Sequence, residues 1–169
     1  MNIITDDMRD IVARAMLSFA ATVCPDGTPN LSPKGSVRVH DGDHLVFMDI
    51  ASPNTIANLE ANPGIEINSI DVFRRRGYRF KGTAKLIPAG EEVYEDLHAW
   101  LLDLNGPGYP AHQAVLVQVE RAEPILSPAY TFGNATEHAL TDSWTDRYRA
   151  VNDTGTDPST SHHPIEDNR

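Results

Sequence analysis

Apolar residues recur at intervals of three and four in three parts of the chain, and this spacing predicts three helices. The helices are expected over residues 6–19, 52–61 and 91–104. Thr5 or Asp6 can cap the first helix. Ser52 can cap the second helix, with Pro53 at the first helical position, where its missing N–H costs little.

Strands are predicted where apolar and polar residues alternate, or where a short apolar run lies between turn residues. The predicted strands cover residues 17–23, 30–40, 45–50, 65–72, 78–87 and 114–119, and residues 125–126 could extend the last one. Residues 45–50 are almost wholly apolar and should lie centrally in a sheet. Because long helical crossovers between every pair of strands are missing, the pattern favours a mainly β fold, a six-stranded antiparallel barrel with flanking helices.

The predicted hairpin of residues 30–50 brings a lysine towards the start of a helix. A turn at residues 40–43 would place Lys34 opposite Asp49, close to Ser52. The first turn of a helix offers free N–H groups and a partial positive charge. The hydroxyls of Ser52 and Thr55 would add donors, and Lys34 would add a point charge. This arrangement predicts a phosphate site; the alternative is a solvated lysine beside two hydroxyls that only cap the helix.

A second candidate feature is a group of cations in an otherwise acidic chain: Arg74, Arg75, Arg76, Arg79 and Lys81. Such a group costs stability unless an anion or carboxylates screen it. Tyr78 and Phe80 alternate with the cations, so this face could stack on a planar ring, and Asn68 and Ser69 could bond its edge. The alternative is an edge strand kept from aggregating by its charge, with Asn68 and Ser69 marking a sheet rim.

Composition narrows the classes of function. The chain has 169 residues, of which 40% are hydrophobic, as in an ordinary globular domain. Its 24 acidic residues outnumber its 14 lysines and arginines, for a formal net charge of −10. This charge argues against a nucleic acid or an anionic membrane as partner, because binding phosphate groups needs a basic face. Cys24 is the single cysteine, which excludes an intrachain disulfide and a multi-cysteine zinc site.

Other chemistry receives little support from the sequence. The seven histidines show no metal-ligand spacing, and the G-x-S-x-G sequence of a serine hydrolase is missing. We therefore predict no metal site and name no catalytic residue. A cationic start followed by an apolar run is missing too, so a cytoplasmic location is expected.

The pattern also suggests a division of the chain. Residues 1–127 are expected to form one domain that includes the N-terminal helix, and residues 128–151 a C-terminal extension. Residues 152–169 are rich in Ser, Thr, Asp, Pro and Gly, which predicts a disordered tail.

Three stretches together resemble the pyridoxamine 5'-phosphate oxidase-like, FMN-binding split-barrel flavoproteins: ATVCPDGTPNLSPKGSVRV, LVFMDIASPNTIANLEANPGIEI and RRRGYRFKGTAKL. The resemblance runs from about Ser18 to Val119. It implies an FMN-binding split β-barrel that forms a homodimer with cofactor at the interface. It also implies a flavin-dependent oxidoreductase acting on a small molecule.

The resemblance implies roles for eight residues of this chain. It places phosphate contacts on a strand and at a helix start, an approach to the ring on a second strand, and contacts that often come from the partner subunit on a third. In that order, these residues are Lys34 and Ser36; Ser52, Asn54 and Thr55; Asn68; and Arg76 and Tyr78.

The chain departs from the vitamin B6 oxidases at the same helix start. Those enzymes typically read Ser-Arg-Lys there, whereas this chain reads Ser52-Pro53-Asn54. The positive charge must then come from Lys34 and the arginines, which could also stabilise a reduced flavin. The substrate-phosphate motif of the true oxidases is missing as well. We therefore expect another substrate, with two alternatives for the function: an F420-dependent reductase, or a non-enzymatic flavin- or haem-binding barrel.

Overall fold

A computed structural model describes residues 2–154. Its helices are α1 (Asp6–Ala15), α2 (Pro53–Ala61), α3 (Glu92–Asn105), α4 (Pro128–Phe132) and α5 (Glu137–Thr154). Its strands are β1 (Ser18–Val23), β2 (Pro29–Lys34), β3 (Arg38–Val39), β4 (His44–Asp49), β5 (Gly64–Asp71), β6 (Arg76–Pro88) and β7 (Gln113–Leu126). The described residues divide into two compact units, residues 2–71 with 76–126, and residues 72–75 with 127–154.

All seven strands of the first unit form one antiparallel sheet in the order β2-β1-β5-β6-β7-β4-β3. The predicted mainly β fold, an antiparallel split barrel with flanking helices, is confirmed, with seven strands instead of six. The extra strand arises because the chain turns at Gly35-Ser36, so that β2 pairs with β1 while β3 pairs with β4. The predicted pairing of Lys34 with Asp49 is therefore wrong, since Lys34 pairs with Ser18.

The core of the first unit includes the apolar strand β4. Leu45 and Phe47 are fully buried there, together with Phe80 from β6 and Val115 from β7. A second apolar cluster, which includes Met48, packs against α3. Burying each large side chain stabilises the fold by about 1.5–3 kcal/mol. The core thereby fixes the end of β4, from which the chain enters α2.

Two element boundaries differ from the sequence prediction. Thr5 caps α1 as expected, its Oγ1 accepting from the Met8 N–H at 3.3 Å, but α1 ends at Ala15 instead of residue 19. Met16 has a φ of 56°, which terminates the helix before β1 begins. Strand β7 is longer than expected, because it pairs with β6 along the whole of β6.

The second unit contains two helices that the apolar pattern did not predict, α4 and α5. Within it, Phe73 lies edge-on to Tyr148 with 5.4 Å between the ring centroids. Helix α5 continues to Thr154, so residues 152–154 are helical where we predicted disorder. The rest of the predicted tail, residues 155–169, lies outside the described residues. The predicted domain division stays a prediction.

None of the helices in residues 2–154 combines the length and apolarity needed to cross a lipid bilayer.

Candidate cofactor site

Lys34 is the last residue of β2 and is only 6% exposed. Its ammonium group donates to the hydroxyl of Ser32 and lies 5.6 Å from the ring centroid of Phe47. Burial lowers the pKa of Lys34, and the nearby carboxylate of Asp49 partly offsets this change. The alternative of a solvated strand lysine is therefore wrong. A buried cation of this kind is a strong attractor for an anion.

A cavity of about 250 Å³ lies beside Lys34, between the end of β4 and the start of α2. Lys34, Ser36 and Ser52 all line it, so the fold brings these three predicted residues together. The Ser36 hydroxyl accepts from the Met48 backbone N–H at 3.0 Å, which leaves its own proton available to a ligand. The buried position of Ser36 is thus explained by its link to β4.

Asp49 is a residue of this site that the sequence analysis did not identify. Its Oδ1 accepts from the Ser52 N–H at 3.2 Å and from the Ser52 hydroxyl at 3.0 Å. Ser52 therefore occupies the cap position of α2 without capping it, and within the described residues no side chain caps this helix. A ligand anion would find an uncapped helix start and a buried lysine, but also a carboxylate that already uses the donors of Ser52. The signal for this interaction in the sequence was an acidic residue three positions before a Ser-Pro helix start.

Thr55 does not line the cavity. It is buried, and its hydroxyl accepts from the Asn30 side-chain amide at 3.3 Å. The same amide donates to Thr22, which also accepts from Asn58 of α2 at 3.0 Å. This buried polar network ties α2 to β1 and β2, so Thr55 holds the helix start in place. Asn54 lies exposed in the first turn of α2.

Within one chain, the cavity beside Lys34 is not lined by the other predicted residues Asn68, Arg76 and Tyr78. Asn68 pairs with Phe19 on the outer face of the sheet, and its Oδ1 is buried with no hydrogen-bond partner among the described residues. Arg76 forms two hydrogen bonds of 2.9 Å with the carboxylate of Asp7. The Tyr78 hydroxyl donates to the same carboxylate at 2.6 Å, and this bond raises the pKa of Tyr78. Contacts of these residues with a cofactor across a dimer stay a prediction.

The cations of the arginine run have separate partners within each unit. Arg79 and Lys81 both pair with Glu66, at 2.9 and 3.3 Å. In the second unit, Arg74 pairs with Glu137 at 3.2 Å, and the Arg75 guanidinium lies 4.0 Å from the Trp144 ring centroid. Carboxylates therefore screen Arg74, Arg79 and Lys81, whereas Arg75 stacks on an aromatic ring, and the stacking of a planar ligand stays a prediction. The edge-strand alternative is wrong, since β6 lies between β5 and β7.

Comparison with known proteins agrees with this architecture. Residues 4–125 match the sequence model of the pyridoxamine 5'-phosphate oxidase family, which confirms the predicted resemblance. No curated protein sequence matches the chain significantly.

Solved structures give the same fold. HupZ from Group A Streptococcus is 33% identical, with 73% of this chain and 94% of that chain covered and a TM-score of 0.64. An FMN-binding protein from Syntrophomonas wolfei subsp. wolfei is 13% identical, covering 71% of this chain and 84% of that chain, with a TM-score of 0.64. An F420 reductase is 23% identical, covering 70% of this chain and 98% of that chain, with a TM-score of 0.57. At the last two levels of identity, the likeness shows the fold alone.

Proposed function

The chain belongs to the pyridoxamine 5'-phosphate oxidase family over residues 4–125, and from this membership we propose an FMN-dependent oxidoreductase whose substrate is not pyridoxine phosphate. The observation that carries the proposal is the buried Lys34, which shares a cavity with the hydroxyl of Ser36 and with that of Ser52 at an uncapped helix start. When bound, FMN supplies the transfer of hydride or electrons, and the protein supplies binding, orientation and electrostatics. We assign no catalytic residue.

The residues of the cavity fit the phosphate of FMN. Lys34 supplies the charge and Ser36 a hydroxyl proton, and Ser52 brings the positive end of α2 to the edge of the cavity. The Ser52 hydroxyl can join them by turning away from Asp49, because a single hydrogen bond holds this hydroxyl to the carboxylate. The carboxylate of Asp49 opposes the phosphate and distinguishes this site from a purely cationic one.

We further propose that the protein is a homodimer formed over the outer face of β1 and β2. Leu31 is 62% exposed on this face, and Phe19 and Val23 are exposed beside it. A contiguous apolar patch of this kind on a soluble protein commonly marks an interface. Asn68 lies opposite Phe19 on the same face, so a cofactor at the interface would come close to it.

Replacing Lys34 with methionine tests the phosphate assignment, because methionine keeps the length of the side chain and removes the charge. We expect Lys34→Met to weaken FMN binding at least about 10-fold, the loss of one charge-assisted contact. Binding of riboflavin, which lacks the phosphate, should stay unchanged. The measurement is quenching of flavin fluorescence, with the exposed Lys85→Met as the matched control. Equal affinity of both variants for FMN would contradict the assignment.

An F420-dependent reductase is the second candidate, because Asp49 offsets the charge of Lys34. A site of lower net charge suits the phosphodiester of F420, a monoanion, better than the phosphate dianion of FMN. The visible spectrum of the purified protein, with mass spectrometry of any released ligand, separates the candidates. A flavin band favours FMN, whereas colourless protein that binds added F420 favours the reductase. A haem band would favour a haem-binding barrel, and bound flavin that no nicotinamide reduces would favour a carrier.

A further inference from the structure

A second cavity, of about 340 Å³, lies on the other side of the Lys34-Gly35 segment, between α1 and α3. Among the described residues, three cationic side chains line it, those of Arg9, Lys34 and Arg38, and no carboxylate does. Apolar side chains, among them Val12 and Trp100, supply most of the remaining wall. In a chain with a formal net charge of −10, a cavity with this lining concentrates positive charge against the trend of the whole molecule.

The two guanidinium groups of this cavity are held in place without carboxylates. Arg38 stacks on Trp100, with its guanidinium carbon 4.3 Å from the ring centroid, and pairs with no carboxylate of residues 2–154. Arg9 donates to the backbone carbonyl of Asp41 at 2.9 Å. Because stacking and a single backbone bond leave other guanidinium N–H groups unused, both residues can still bind an anion in the fork geometry of arginine.

The rim of the cavity is apolar and strained. Met16 lines the cavity, is 80% exposed, and has a φ of 56°. The Leu17 N–H donates to the Ala15 carbonyl across Met16, which makes this residue the centre of a three-residue turn that methionine rarely adopts. Leu104 of α3 is 66% exposed and also lines the cavity. Backbone strain tends to persist where a site needs the geometry it creates.

We propose that this second cavity binds a small organic carboxylate with an apolar body. Its volume is at the lower end of the range for small-molecule sites, which suits a ligand about the size of a substituted benzoate. A carboxylate matches the planar guanidinium of Arg38, and the apolar walls suit a hydrocarbon or aromatic body. Lys34 and Gly35 line both cavities, so this ligand would lie next to the cofactor. Its role as the substrate rests on the proposed flavin function, whereas the binding site itself does not.

The test uses Trp100 as the reporter and benzoate as the probe. The chain has two tryptophans, so Trp144→Phe leaves Trp100 as the single indole N–H resonance. In the protein without added flavin, benzoate should shift this resonance saturably, and uncharged benzamide at the same concentrations should not. Arg38→Gln should weaken benzoate binding, measured by calorimetry, at least about 10-fold, the loss of one charge-assisted contact. Arg121→Gln is the matched control, because Arg121 is an exposed arginine that pairs with Glu123 at 3.2 Å and does not line the cavity.

The proposal is overturned if benzoate leaves the Trp100 resonance unchanged, if benzamide binds as tightly, or if Arg38→Gln binds benzoate like Arg121→Gln. Circular dichroism of both variants establishes that they fold. FMN binding is measured on the same samples, by flavin fluorescence. Benzoate binding without FMN binding would remove the flavin function and keep the site, and the reverse result would remove the site and keep the flavin function.

Discussion

Asp49 is the residue whose charge acts most directly against the proposed cofactor. It is buried at the end of β4, accepts both donors of Ser52, and lies close enough to Lys34 to affect its pKa. A phosphate that reaches Ser52 must therefore approach a carboxylate in a poorly solvated site, where like charges repel strongly. The carboxylate also holds both donors of Ser52, so its hydrogen bonds and its charge each oppose an incoming phosphate.

Asp49→Asn separates these two effects, because the amide oxygen can still accept from Ser52 while the charge is lost. We expect FMN to bind about 5- to 10-fold more tightly, which corresponds to about 1 kcal/mol of removed repulsion. Riboflavin affinity should not change. Asp103→Asn, an exposed position in α3, controls for the change in net charge. Weaker FMN binding by Asp49→Asn would mean that the carboxylate helps to hold the cofactor.

At the scale of elements, two glycines explain how β6 fits between its neighbours. A Cβ at Gly77 would lie 2.2 Å from the Ser69 carbonyl oxygen of β5, and one at Gly82 would lie 1.9 Å from the Gln118 carbonyl oxygen of β7. Gly82 also lies at the register shift between β6 and β7. The spacing of these glycines, which belongs to the stretch that resembles the family, is thus a requirement of close backbone approach.

Gly82→Ala should therefore destabilise the sheet. The added methyl group would force the β6 and β7 backbones apart, at a cost of about 1–3 kcal/mol in the free energy of unfolding. Gly35→Ala should cost less, because its Cβ would meet nothing closer than the Met16 carbonyl oxygen at 3.9 Å. Urea denaturation of both variants measures the difference. Equal stability of the two would show that the strands accommodate the methyl group.

The apolar pattern predicted an element boundary correctly where the alternation of apolar and polar residues changes at that boundary. It missed a boundary where the alternation continues across it. Polar and apolar residues alternate without interruption from β2 into β3, so the turn at Gly35-Ser36 left no sign in the pattern. The meeting of Lys34, Ser36 and Ser52 was predictable although the predicted pairing was wrong, because two of them come just before the β3–β4 hairpin and the third comes just after it. The partner of Arg76 was not, because Asp7 is 69 positions away and no periodicity reports such a contact.

At the scale of the whole molecule, the surface combines a strong negative charge with one apolar sheet face. The formal net charge of −10 makes copies of the chain repel one another at long range. Salt screens that repulsion, whereas burial of Phe19, Val23 and Leu31 would not depend on it. A dimer formed over β1 and β2 should therefore become more stable as the salt concentration rises.

Leu31→Lys tests this dimer, because it places a charge at the centre of the exposed face. In a two-fold symmetric interface each substitution occurs twice, so the loss of about 1.5–3 kcal/mol per leucine is doubled. We expect the dissociation constant to rise at least about 100-fold, measured by light scattering over a dilution series. Leu126→Lys is the control, since Leu126 is exposed at the end of β7, away from β1 and β2. If the dimer is unchanged in Leu31→Lys, or dissociates equally in Leu126→Lys, another face joins the subunits. The proposed contact of Asn68 with a cofactor at the interface would then have no support.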